Sequence, residues 1–308
     1  MRMRNGFTPL EIEIPHRESR GLPERHGEGP RFAGSQTDVR QRHRSFLTGF
    51  TLVELLTVIA IIVLLISILI PALQTVKRQA NSVACQSNLR QWGIYLSMYT
   101  EDNKDRFFTL LPDEGWRFWW RSLKPYYRDS NDLCLCPMAT VLVNPAGRPN
   151  TATRGGKSLA WGRYPGEYRD LYGSYGLNIW VSDNRCVNPT CWHQQCWKTM
   201  YVKGAGNIPL LLDCMMPGGR PDNQDGPPEF EDLHAGMTGS CWMSHFCINR
   251  HEGSVNGIFM DWSVRKVGLK ELWTLKWHRS YNTANRWTTT GGVHLDDWPE
   301  WMRNYKDY

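Results

Sequence analysis

Apolar and polar positions divide this chain of 308 residues into three stretches. Up to residue 49 charges are scattered among short apolar groups, acids interrupt every apolar pair in "LEIEIPHRESR", and neither a helical nor a strand period is sustained. From Leu55 to Ile70 sixteen consecutive residues, "LLTVIAIIVLLISILI", carry no charge, and the run continues through Pro71 and Ala72 to Leu73. At about 1.5 Å per residue, roughly twenty such residues cross a hydrocarbon layer of about 30 Å. The run therefore reads as a membrane-spanning helix over residues 52–73. A core helix of a soluble domain seldom stays apolar on every face for so long. Apolar positions then recur at Leu73, Val76, Ala80 and Val83, and again at Cys85, Leu89, Trp92, Leu96 and Tyr99, with Lys77, Arg78, Asn81, Gln86 and Arg90 off the stripe. Steps of three and four predict an amphipathic continuation of the same helix to about residue 103, its stripe laid on a globular head. "EDNKDR" at 101–106 is expected to end it.

Beyond residue 106 short apolar runs alternate with Gly, Pro and Asn. "DLCLCP" (132–137), "GSYGLNIWV" (173–181), "IPLLLDC" (208–214) and "VNGIFMDWSVRKV" (255–267) read as strands, the last as a hairpin around "DWS". "GLKELWTLKWH" (268–278) reads as a short closing helix. Long loops are expected over 140–170 and 215–245. The fold class is α+β: a long N-terminal membrane helix continuing into a head, residues 104–308, with a small antiparallel sheet packed on it.

Composition changes the picture in two ways. The net charge of +6 is split between residues 1–49, where nine Arg face six acids, and the remainder, where both signs are interleaved. No basic stripe marks a nucleic-acid partner. Nine Cys exceed what an ordinary cytosolic chain carries and point to an exported head. Arg40, Arg42 and Arg44 just before the apolar run place the N-terminus in the cytoplasm by the positive-inside rule. The protein is thus expected to be a single-pass inner-membrane protein whose head is periplasmic or extracellular.

Glu54 stands at the edge of the membrane segment, where a carboxylate costs on the order of 3 kcal/mol unless it lies at headgroup level or has a partner. Gly49-Phe50-Thr51-Leu52-Val53-Glu54-Leu55, followed by the apolar helix, resembles the processing site of type IV pilins and of type II secretion pseudopilins. The resemblance implies a leader over residues 1–49, cleavage between Gly49 and Phe50 by a prepilin peptidase and N-methylation of Phe50. It also implies that Glu54 meets the Phe50 ammonium of a neighbouring subunit during assembly. Pro71 falls where pilin helices commonly bend. A near-copy of the motif, "GFTPLE" at 6–11, is followed by interleaved acids, so no membrane helix presents Gly6 to a peptidase.

In the head, "RHEGSVNGIFMDWS" places His251 and Asp261 ten apart and resembles the His-x9-Asp-Gly signature of a group of pilin-like bacterial proteins, as do "CQSNLRQWGIYLSMYTEDNKDRF" and "SYGLN". Trp262 replaces the signature Gly, a costly choice if that position needs a positive φ. His251 and Asp261 either build a metal or processing site, or His251 hydrogen-bonds the hairpin while Asp261 shapes its turn; the second is preferred. Asp213, Asp222 and Asp225, with Glu229, Glu231 and Asp232, lie in a Gly- and Pro-rich stretch whose oxygens suit Ca²⁺, although the spacing is not that of an EF-hand. Cys134-x-Cys136, Cys186-x4-Cys191-x4-Cys196 and Cys241-x5-Cys247, with Cys85 on the helix and His193 in the middle group, suggest disulfides ahead of zinc. Trp116, Trp119, Trp120, Trp192, Trp197, Trp273 and Trp277 either form a stacking surface or fill a core beneath long loops.

No Ser/His/Asp or paired-carboxylate constellation marks an enzyme. The expectation is a structural subunit of a type IV pilus or type II secretion pseudopilus, with prepilin peptidase, like subunits and the inner membrane as its partners. The alternative is an exported module binding carbohydrate or metal, with the helix as a mere anchor.

Overall fold

The computed structural model of the chain describes residues 50–109, 119–127, 131–142, 154–162, 172–183, 192–231 and 241–308. Residues 1–49, which include Gly49 and the expected leader, and Trp116, Cys186 and Cys191 lie outside the described residues. The chain falls into two units, Met1–Leu56 and Thr57–Tyr308, each taken here by itself.

One helix, α1 (Leu52–Asp102), accounts for the whole predicted helical stretch and runs through Pro71. In the second unit its residues from Thr57 to Ala80 are exposed on every face, and up to Leu73 all but Thr57 and Ser67 are apolar. From there the face changes character: Ser82, Cys85, Leu89, Trp92, Gly93, Leu96 and Thr100 are buried, so the expected stripe holds from Cys85 to Leu96, whereas Leu73, Val76, Ala80 and Val83, expected on it, are exposed. The helix ends where "EDNKDR" predicts. Asp105 N–H donates to the Thr100 carbonyl at 2.8 Å, and Lys104 and Asp105 both take left-handed conformations (φ 58° and 60°) that turn the chain away. Arg106 then fastens the exit with two hydrogen bonds to Asp183, at 2.6 and 2.8 Å.

The head is built on a five-stranded sheet. Its strands are β4 (Tyr175–Asn178), β5 (Pro209–Asp213), β6 (Gly218–Gly219), β7 (Ser254–Phe259) and β8 (Val264–Gly268), in the order β6-β4-β5-β7-β8. β5 and β7 are buried at every position, which is why "PLLLD" reads as a continuous rather than an alternating apolar run; in β7 the buried Asn256 is accommodated by hydrogen bonds with Gln86 and Ser82 of α1. β7 and β8 form the expected hairpin. A smaller sheet contains β1 (Val141–Leu142), β2 (Leu159–Gly162) and β3 (Tyr172–Gly173). The expected single antiparallel sheet is therefore two mixed ones, because β1–β2 and β4–β6 run parallel. α1 approaches the large sheet at Gly93, where a Cβ would meet Ile258 Cδ1 at 2.2 Å.

Two expected elements differ. "DLCLCP" is not a strand but a 3-10 turn (Asn131–Cys134) leading into extended chain. Its carbonyls are taken from the side: Leu133 O accepts the Trp92 indole N–H at 3.0 Å and Leu135 O accepts the Asn88 amide at 3.0 Å, both from α1. The closing helix shrinks to a 3-10 turn (Lys270–Thr274), since the next carbonyls are already committed. Leu272 O accepts the Trp277 indole at 2.8 Å and Thr274 O accepts the Asn207 amide at 3.1 Å. A second short helix, α2 (Trp119–Tyr127), packs Trp119, Trp120 and Leu123 into the core.

Most of the described tryptophans lie inside. Trp119, Trp180, Trp197 and Trp273 donate their indole N–H groups to the carbonyls of Pro217, Pro221, Trp277 and Asp225, so each fills volume and satisfies an irregular segment at once. A head with short strands and long loops needs such donors. The stripe on α1 gives a direct test. In urea unfolding of the full-length protein in mild detergent, Leu89→Ala should lose about 2–5 kcal/mol, and Val83→Ala, on the same helix but 66% exposed, less than about 0.5 kcal/mol.

Candidate functional site

Two places carry chemistry. The first is the start of α1. Thr51 precedes the first helical residue, and its hydroxyl oxygen accepts the Glu54 backbone N–H at 3.2 Å. The Glu54 carboxylate in turn accepts the Thr51 N–H at 2.9 Å and the Thr51 hydroxyl at 2.7 Å. This is a capping box, legible in the sequence as Thr-x-x-Glu ahead of an apolar run. Glu54 thus has a local structural role beside any role in assembly. Phe50 is 68% exposed immediately before it.

The second place is buried where four segments of the head converge. Cys85 projects from α1, Cys136 from the chain after the 3-10 turn, Asp213 from the end of β5 and His251 from the loop entering β7. One ligating atom from each lies within 4.8 Å of all the others. The pairwise distances are short: Cys136 Sγ to His251 Nε2 is 3.3 Å, His251 Nε2 to Asp213 Oδ2 is 3.1 Å, and Cys85 Sγ to Asp213 Oδ2 is 3.6 Å. Arg250 and Asp213 are both fully buried and paired at 3.0 Å, and Asp213 Oδ2 also accepts the Asn256 N–H at 2.8 Å. Arg250 also donates from its terminal nitrogens to the carbonyls of Ser174 (2.6 Å) and Gly156 (2.7 Å). The Tyr175 hydroxyl stands 3.4 Å from Cys85 Sγ.

The electrostatics follow from this crowding. Burial alone would raise the Asp213 carboxyl, but the His251 and Arg250 charges and the Asn256 N–H hold it well below the ordinary carboxylate range. Burial alone would lower His251, but Asp213 and Cys136 raise it to about 9. The two thiols diverge. Burial, then Cys136 and Asp213, push Cys85 well up; burial would raise Cys136 too, but Cys85, His251 and Arg250 bring it down to about 7. Two thiols, a carboxylate and an imidazole facing one centre are a ligand set for a metal ion.

Sequence reasoning named these four residues in four different contexts and did not bring them together. Arg250 it missed; the only signal was an arginine beside His251 ahead of an apolar strand. His251 hydrogen-bonds the hairpin as expected, its backbone N–H donating to the Ser254 carbonyl at 3.0 Å and its carbonyl accepting the Ser254 hydroxyl, while its ring points to Asp213 and Cys136. Asp261 is exposed in the β7–β8 turn and accepts the Ser263 N–H (3.0 Å) and hydroxyl (2.6 Å), so it shapes the turn and is separate from His251. Trp262 takes φ 66°, the conformation a glycine there would adopt without strain, and packs partly against the core.

The calcium set does not converge. Among the described residues, the metal-binding constellation contains Asp213 but neither Asp222 nor Asp225. Asp225 is buried, and its Oδ2 accepts the N–H groups of Asp222 and Met243, both at 3.0 Å. No disulfide joins two of the described cysteines. Cys241 instead donates to the Gly226 carbonyl and Cys247 lies against Met302. Of the tryptophans weighed as a stacking surface, Trp119, Trp120, Trp197, Trp273 and Trp277 are buried.

No protein-family model, curated protein or solved structure matches this chain.

Asp225 offers a pH test. Burial raises its carboxyl from 3.8 to about 7, against the two backbone donors. A folded-state value above the unfolded one means that the native state holds the proton between pH 3.8 and about 7 while the unfolded chain has lost it. This contribution to stability is complete below pH 3.8 and is lost as pH rises through about 7. Asp225→Asn keeps an acceptor for both N–H groups without the charge. It should stabilise the protein by about 1–3 kcal/mol at pH 8 and change it little at pH 4, measured by urea unfolding at both.

Proposed function

We propose that this chain is a pilin-like structural subunit, cut between Gly49 and Phe50 by a prepilin peptidase, anchored in the inner membrane by α1 and joined through that helix to like subunits. The observation that carries the proposal is the change of face along α1. From Thr57 to Leu73 the helix is apolar all round, broken only by the hydroxyls of Thr57 and Ser67, with none of it buried, and from Ser82 one stripe is spent on the head. One helix is apolar and long enough to cross a membrane. Lipid covers such a surface in a single inserted chain, and neighbouring helices of like subunits cover it in a filament.

Glu54 supports the same reading. Thr51, which donates to its carboxylate twice, is an uncharged donor two residues from the proposed cut. Cleavage creates a Phe50 ammonium, and a carboxylate inside an apolar bundle is best matched by such a charge on a neighbour. A head that grips carbohydrate has less support, because the described indoles that would stack on sugars are core residues.

Intact mass and N-terminal sequencing of the membrane-extracted protein should give an N-methylated Phe50 start. An uncut leader, or a cut beyond Leu73, overturns the proposal. Capping and assembly are separated by two substitutions. Glu54→Gln keeps the capping box and removes the charge; it should abolish incorporation into filaments as completely as Glu54→Ala. Incorporation retained by Glu54→Gln but lost in Glu54→Ala would leave Glu54 as a cap alone.

A further inference from the structure

We infer that Cys85, Cys136, Asp213 and His251 form a structural zinc site that clamps α1 to the sheet of the head. The inference is independent of the filament reading, for it rests on the buried side chains alone.

The geometry carries it. In a tetrahedral zinc site with bonds of about 2.0–2.3 Å, neighbouring ligand atoms stand about 3.4–3.8 Å apart. The edges here are 3.3 Å between Cys136 Sγ and His251 Nε2, 3.1 Å between His251 Nε2 and Asp213 Oδ2, and 3.6 Å between Cys85 Sγ and Asp213 Oδ2. Each is within a few tenths of an ångström of a ligand edge. His251 Nε2 faces Cys136 and Asp213 together, although a single N–H cannot serve both well. An ion at the common centre takes all four atoms without such competition. Softness agrees: two sulfurs, an imidazole nitrogen and one carboxylate oxygen select zinc over calcium or magnesium.

Charge and surroundings fit as well. Two thiolates and a carboxylate carry three negative charges, and a divalent ion with the Arg250 guanidinium carries three positive, so the buried set is neutral. Loading Zn²⁺ releases to solvent the thiol protons and the proton that makes His251 cationic, and forms two zinc–sulfur bonds, one zinc–nitrogen and one zinc–oxygen bond, with no change of oxidation state. The outer groups are in place to hold the ligands. Asn256 N–H and Arg250 fix the Asp213 carboxylate, and the Tyr175 hydroxyl lies beside Cys85 Sγ. A small cleft lined by Arg78, Ser82, Met138 and Glu252 reaches His251 and provides access for the ion.

The ligands come from α1, the 131–137 segment, β5 and the loop before β7, separated by up to 166 positions between Cys85 and His251. One ion therefore cross-links the helix to three parts of the head. A Cys85–Cys136 disulfide is the competing outcome for the same two sulfurs, and it would consume the ligands.

The test uses full-length protein purified in mild detergent without chelator. Elemental analysis should find about one zinc per chain in the wild type, falling about tenfold or more in Cys136→Ser and in His251→Ala and unchanged in Cys134→Ser, whose sulfur is outside the set. Because a variant that fails to fold would also lose metal, the wild type is stripped under reducing conditions and titrated with Co²⁺. Intense visible ligand-field bands with thiolate-to-cobalt charge transfer, displaced by one equivalent of zinc, are expected. Absence of both zinc and the cobalt spectrum overturns the inference. So does a Cys85–Cys136 disulfide on peptide mapping of the purified protein, or zinc retained by both ligand variants.

Discussion

The structure depends on a buried carboxylate. Asp213 ends the central strand β5 with no exposure to solvent, where an unpartnered charge would be untenable, and the fold surrounds it with Arg250, His251, the Asn256 N–H and the Cys85 thiol. Those partners come from the helix, the hairpin strand and the loop between them. Satisfying one charge thus fixes the relative positions of α1, β5 and β7, and Arg250 extends the arrangement to Ser174 and Gly156. Breaking any one contact leaves a charge stranded, and this makes the centre of the head stiff where its edges are loop-rich.

Around that centre the irregular chain is held by indoles. Short strands leave many carbonyls without a ladder partner, and Trp92, Trp119, Trp180, Trp197, Trp273 and Trp277 each reach one. The high tryptophan content is thereby explained by packing and hydrogen bonding, without a ligand. The same donors account for the two departures from simple periodicity, since the segments at 131–137 and 268–278 have carbonyls occupied from the side before a strand or helix can claim them.

What the sequence made legible was local. The period of α1 from Cys85 to Leu96, its end at "EDNKDR", the continuous apolar strand β5 and the β7–β8 hairpin all follow from spacing of three, four or two. The Thr51–Glu54 capping box was equally readable and was overlooked because Glu54 drew interest as a membrane charge. The buried cluster was not legible as a unit. Cys85 and Asp213 lie 128 positions apart, and no local pattern brings a helix cysteine to the end of a strand. Sorting cysteines by their spacing paired Cys136 with Cys134 instead. His251 and Asp261 illustrate the same limit: ten residues apart in the chain, one is at the core and the other in an exposed turn.

The proposed membrane subunit and the proposed zinc clamp both need a head rigidly joined to its helix, and the Asp213–Arg250 pair is the part of that joint visible without any ligand. A double-mutant cycle on this pair, read by urea unfolding of the full-length protein, is the most direct measurement. Asp213→Leu and Arg250→Met should each lose about 3–5 kcal/mol, and the double substitution should lose at least about 2 kcal/mol less than their sum. Additive losses would contradict the account.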